Sequence, residues 1–175
     1  MSFEITLTLP SFYNWVLLSV VVICLECILT NMLVVVPARL KWMPPDFMAK
    51  FAKDHEGALG SQSMPAPGGY PDTGNGVYAD KLSYEGWYRF NLAIRVYQNL
   101  VEQLPFLCGF LLIGGLYFPR FAAAIGFLNC STRPLYIKQY LEQGSKGRRL
   151  AQIIGTGSTY TLVLLTVVEI IRQNI

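Results

Sequence analysis

Apolar residues run almost unbroken through four stretches of the chain, and polar clusters separate them. The stretches cover about residues 14–36, 87–118, 121–140 and 150–171. At about 1.5 Å per residue each is long enough, as a helix, to cross a hydrocarbon core of about 30 Å. The pattern therefore predicts an all-α, integral membrane four-helix bundle, with residues 1–175 as one domain. Pro37, Arg39 and Lys41 mark the end of the first span. Pro119 closes the second, and Arg120 marks a very short turn into the third. Pro105 stands inside the second span, where the missing backbone N–H is expected to kink the helix.

The first connection, residues 41–86, is the outlier. It opens with a segment in which Phe47, Met48 and Phe51 fall on one side of a short amphipathic helix. Residues 57–76 are then rich in Gly, Pro and Ser, a composition that normally gives a flexible linker. A connection this long that stays ordered is usually pinned by function or by a partner. The expectation is a long ordered loop between helices 1 and 2, held by its surroundings.

Composition agrees with a membrane protein: 53% of the residues are hydrophobic and only 14% charged, against about 25% charged in soluble domains. The net charge of +3 is scattered and forms no basic stripe, which argues against nucleic-acid binding. Arg39, Lys41, Lys50, Lys53, Lys81, Lys146, Arg148 and Arg149 lie in the first and third connections. The positive-inside rule puts both connections on the cytosolic side. The chain start carries Glu4 and no basic leader pattern, so the first stretch reads as a retained span. Cys24, Cys27, Cys108 and Cys130 sit in apolar stretches and read as buried thiols. His55 is the single histidine, and no metal-ligand spacing is present.

Within the second span Asn91, Arg95, Gln98, Asn99 and Glu102 interrupt the apolar pattern. Arg95, Asn99 and Glu102 stand at i, i+4 and i+7 and form one stripe. Charged groups at membrane depth face a bundle interior, a wet cavity or each other. The stripe therefore reads either as a clasp between helices or as a wall of a site for a charged ligand. Glu26, alone in the first span, needs a partner, and Arg95 is the candidate.

The run from Phe90 to Pro105, with Phe90-Asn91, Arg95, Gln98-Asn99, Glu102 and Pro105, resembles the second helix of the MAPEG family. It is most similar to the microsomal glutathione S-transferase type 3 branch. The likeness continues through Gly114 to Arg120 and through Arg133, Tyr136 and Tyr140, and takes in Ala38-Arg39. It implies a homotrimer that binds glutathione between subunits near the cytosolic face. The reaction implied is conjugation of lipophilic electrophiles or reduction of lipid hydroperoxides. By this resemblance Arg95, Asn99, Glu102, Tyr136, Tyr140 and Arg39 bind glutathione. The family's thiolate-stabilising Arg falls at Gly147 here, so Arg148 or Arg149 becomes the catalytic cation after a shift of one or two residues. Tyr97 replaces the family's His.

Two functions follow. One is a membrane-bound glutathione transferase or glutathione-dependent peroxidase, with glutathione as co-substrate. The other is a non-catalytic accessory subunit of a heteromeric membrane complex, for instance a mitochondrial respiratory one. Membrane lipids are partners in both, and the endoplasmic reticulum or a mitochondrial membrane is the expected location.

Overall fold

The computed structural model describes residues 8–60 and 64–175; Glu4 and residues 61–63 of the Gly/Pro/Ser-rich stretch lie outside them. All regular structure among the described residues is helical. Three helices are long and apolar enough to cross a membrane: Tyr13–Trp42, Tyr84–Tyr117 and Arg149–Gln173. A fourth, Pro119–Gln143, has the length, but Asn129, Ser131, Thr132, Arg133 and Lys138 dilute its apolar character.

The first helix does not stop at Pro37. It runs as α1, Tyr13–Thr30, then a π-helical turn, Asn31–Val35, then α2, Val36–Trp42. Pro37 sits in the first turn of α2, where its missing N–H and fixed φ cost little. The wide turn just before it, closed by the Val36 N–H on the Asn31 carbonyl, lets the helix continue. The remaining helices are α3, Pro45–Met48, α4, Ala52–Leu59, α5, Tyr84–Tyr117, α6, Pro119–Gln143, and α7, Arg149–Gln173. Pro105 lies inside α5 without ending it, and Pro119 opens α6 after the single linking residue Phe118. Gly144, at φ +65°, ends α6 in a backbone region that favours glycine.

The chain forms two compact units. The first joins the residues up to Glu26 with Glu102–Ile175. Its core holds Tyr13, Val16, Ile23, Leu107, Leu111, Ala122, Ile125 and Leu162. Glycines set the helix approaches. A side chain on Gly115 would meet Tyr13 and Val16 of α1, and one on Gly114 would meet Leu162 of α7. Gly126 of α6 lies against Ser19 of α1, and Gly155 of α7 against Asn129 of α6. Without a hydrophobic force between helices in lipid, close packing at small residues is a main source of association.

The second unit is Cys27–Val101. Its core is Val35, Met43, Met48, Phe51, Ala79, Phe90 and Ile94, so the amphipathic segment at Phe47, Met48 and Phe51 forms where the sequence places it. Residues 68–79 of the long connection are held by two buried charged side chains. Asp72 accepts hydrogen bonds at Oδ1 from Gly74 N (2.7 Å) and Gly76 N (3.0 Å), and at Oδ2 from Ala79 N (2.7 Å). Arg39, only 5% exposed, donates to the Gly68 carbonyl at 2.9 Å. Its guanidinium lies 4.2 Å from the Tyr70 ring centre and 5.5 Å from that of Phe90, with Asp72 as counter-charge. The Gly74 carbonyl takes further bonds from Trp87 Nε1 (3.1 Å) and Asn91 Nδ2 (2.8 Å). Charge-assisted bonds of this kind are the strong ones, and they hold the glycine-rich segment from Gly68 to Gly76.

Candidate functional site

In the first unit the C-terminal half of α6 and the start of α7 gather the polar chemistry. Tyr136 and Tyr140 are both buried and one turn apart, with ring centres 5.8 Å from each other. The Arg148 guanidinium lies 5.9 Å from the Tyr140 ring centre. Gln139, between the tyrosines on α6, holds a buried Oε1 without a hydrogen-bond partner among the described residues. The turn geometry explains the placement of the cation. A side chain on Gly147 would collide with the Gln139 carbonyl, so that position cannot carry one. Arg148 is the first residue beyond that contact able to reach back over α6. Arg149 is exposed at the first position of α7.

One turn before Tyr136, Arg133 joins Tyr136, Thr132 and Asn129 of α6 around a small polar hollow with Gln152, Gly155 and Thr156 of α7 and Gln103 of α5. Its volume, about 20 Å³, is on the scale of one water. Asn129, Gln103, Gln152 and Thr156 also border a larger cavity of about 410 Å³, whose other walls include Phe106, Leu107, Phe110 and Tyr160. Asn129 is satisfied within the unit, donating to the Ile125 carbonyl and to Thr159 Oγ1. The charge that acts on Glu26 is that of Arg133 on α6. Arg133 belongs to the same unit as Glu26, in which α1 packs on α6 through Ser19 and Gly126.

The sequence-derived residues thus separate into groups. Tyr136, Tyr140 and Arg148 come together. Arg95 and Glu102 are exposed on α5, and Asn99 is half-buried there. Arg39 is committed to the Gly68 carbonyl and two aromatic rings. Asn91, part of the same polar series on α5, is committed to the Gly74 carbonyl. Gln103, Gln152 and Thr156 were missed. Their only signal was polarity inside apolar spans, without a charge to draw notice.

The second unit has its own concavity, of about 570 Å³, between α4 and residues 71–78, with Phe51, His55, Leu59 and Val77 on its walls. No cluster of side chains suited to a metal ion is present among the described residues. The four cysteines form no disulfide among the described residues.

Helices of this length, together with the α5 and α6 polar sets, define an integral membrane protein with a polar site built into its spans. The chain belongs to the MAPEG family, whose sequence model matches residues 16–168. That family includes membrane glutathione transferases and related proteins. No solved structure matches the chain.

Proposed function

We propose that this protein is a four-helix, glutathione-dependent membrane enzyme of the microsomal glutathione S-transferase type 3 kind. It acts as a transferase or peroxidase on lipophilic electrophiles or lipid hydroperoxides. The observation that carries the reading is the convergence of Tyr136, Tyr140 and Arg148 where α6 ends and α7 begins. Glutathione brings two carboxylates, an amine and a thiol. A guanidinium beside the thiol favours the thiolate, which is the nucleophile. Proximity of the Arg148 guanidinium to the Tyr140 ring supports Arg148 in that role over the exposed Arg149. The tyrosine hydroxyls donate to the tripeptide. Arg95, Asn99 and Glu102 bind the carboxylates and amine. Exposure of Arg95 and Glu102 on the single chain fits a homotrimer in which a neighbouring copy completes the site.

The test is ultraviolet thiolate absorbance of glutathione on the purified protein. The wild type should develop it. Arg148→Ala should bind glutathione and lose the thiolate signal, whereas Tyr136→Phe should weaken binding by roughly fivefold, the value of one neutral hydrogen bond. Absence of binding at millimolar glutathione defeats the proposal.

The ordered connection favours a second reading, an accessory subunit of a heteromeric complex in the endoplasmic reticulum or a mitochondrion. Leu59 (68% exposed) and Val77 (69%) present apolar surface on a pinned frame. Replacing residues 57–76 by a short linker should then release co-purifying chains. Retention of those chains counts against this reading.

A further inference from the structure

The cavity on α5, α6 and α7 carries an inference that does not depend on glutathione chemistry. Its walls change character along the helices. On α5 the order is Gln103, then Phe106 and Phe110; on α7 it is Gln152 and Thr156, then Tyr160. The α5–α6 and α6–α7 links are short, so α5 and α7 run in the same direction. The two gradients therefore run in parallel. Amide and hydroxyl groups lie toward the Gly144–Lys146 turn and aromatic groups deeper in the span. From Gln152 to Tyr160 the wall extends about 12 Å at about 1.5 Å per residue.

The polar end is unsatisfied. The side chains of Gln103, Gln152 and Thr156 form no hydrogen bond among the described residues, in helices long and apolar enough to span a membrane. Gln103 is exposed and Gln152 and Thr156 are half-buried, so their polar atoms are open to a guest in the cavity. No charged side chain is among the described residues that line this cavity.

We infer that this cavity is a binding site for a neutral, single-chain lipid with a hydroxyl- or carbonyl-bearing head. The head takes its hydrogen bonds from Gln103, Gln152 and Thr156, and the chain lies along Phe106, Phe110 and Tyr160. A volume of about 410 Å³ lies within the range of small-molecule sites, about 300–1,000 Å³. A carboxylate or phosphate head is disfavoured because nothing there neutralises it.

The experiment uses the full chain in phosphatidylcholine vesicles with a diazirine-bearing monoacylglycerol, followed by mass spectrometry of the labelled peptides. Labelling should concentrate on residues 103–110 and 152–160 and should be displaced by 1-oleoylglycerol. The volume-conserving pair Gln103→Met and Gln152→Met should cut that labelling roughly tenfold, for two lost neutral hydrogen bonds. Phe110→Trp, which fills the cavity without touching the head site, should reduce it as well. The inference is overturned by labelling spread evenly over the lipid-facing helices, or by oleate competing as well as 1-oleoylglycerol. It is also overturned if a cross-linker at Phe110 captures a second copy of the chain instead of lipid.

Discussion

Asp72 is the residue on which the long connection turns. One carboxylate gathers three backbone N–H groups from residues 74, 76 and 79, and also faces the buried Arg39. Asp72→Ala leaves those donors buried or half-buried without an acceptor and Arg39 without its counter-charge. We expect a loss on the order of 3 kcal/mol of local stability, since bonds to a charged acceptor are worth about 1.5–3 kcal/mol each and do not add fully. Limited proteolysis and amide hydrogen exchange over residues 64–82 check it. Asp72→Asn should fall between the two, because its Oδ1 still serves Gly74 and Gly76 while its amide opposes the Ala79 N–H. Unchanged protection in Asp72→Ala would refute the account. Arg39 belongs to the same scale. Its family likeness pointed to a ligand role, and its partners here are a carbonyl and two rings. Sequence shows the cation at the end of the span. It does not show that the chain returns at Gly68 to cover it.

At the scale of the element, helix contacts in the first unit depend on positions that tolerate no side chain. Gly126→Val should destabilise the α1–α6 contact by about 1–3 kcal/mol through overlap with Ser19. Gly109→Ala, on α5 with nothing within 4 Å of an added Cβ, should be neutral or slightly stabilising. Thermal unfolding in detergent distinguishes the two, and equal loss in both would show that packing is not the cause. The helices Tyr13–Trp42, Tyr84–Tyr117 and Arg149–Gln173 were legible because apolar runs of membrane length leave little else for the backbone to do, while the expected third span forms a long helix of more polar character. Their ends were less so. Pro37 reads as a stop, yet the π turn at Asn31–Val35 carries the helix to Trp42. The amphipathic segment was readable from Phe47, Met48 and Phe51. The order of the glycine-rich stretch was not readable from its composition, since it rests on one aspartate meeting three N–H groups. In the candidate site, Tyr136 and Tyr140 were singled out by the resemblance to the family's third helix, and they lie one turn apart on α6. Arg148 was singled out over Arg149 only once the contact of Gly147 with the Gln139 carbonyl was known.

For the whole molecule, the question is what covers the polar stripe of α5. Arg95 and Glu102 are exposed on the single chain, and exposed charges on a membrane helix are costly against lipid. The proposed homotrimer would put another copy beside them. A photo-crosslinking amino acid at position 95 should therefore give dimer and trimer bands in native membranes. Bands of the single chain alone, or adducts only with unrelated proteins, would argue against self-assembly, and the latter would favour the accessory-subunit reading.

The π turn has one more effect. An insertion of one residue into a helix rotates everything beyond it by about 100° relative to what came before. Arg39 therefore faces Gly68 and Tyr70 because of a surplus position between Asn31 and Val35. A relative whose first helix is wound regularly would, when superposed on this chain, need a single-position gap there. Aligned without it, the relative's basic residue would be matched to the wrong neighbour.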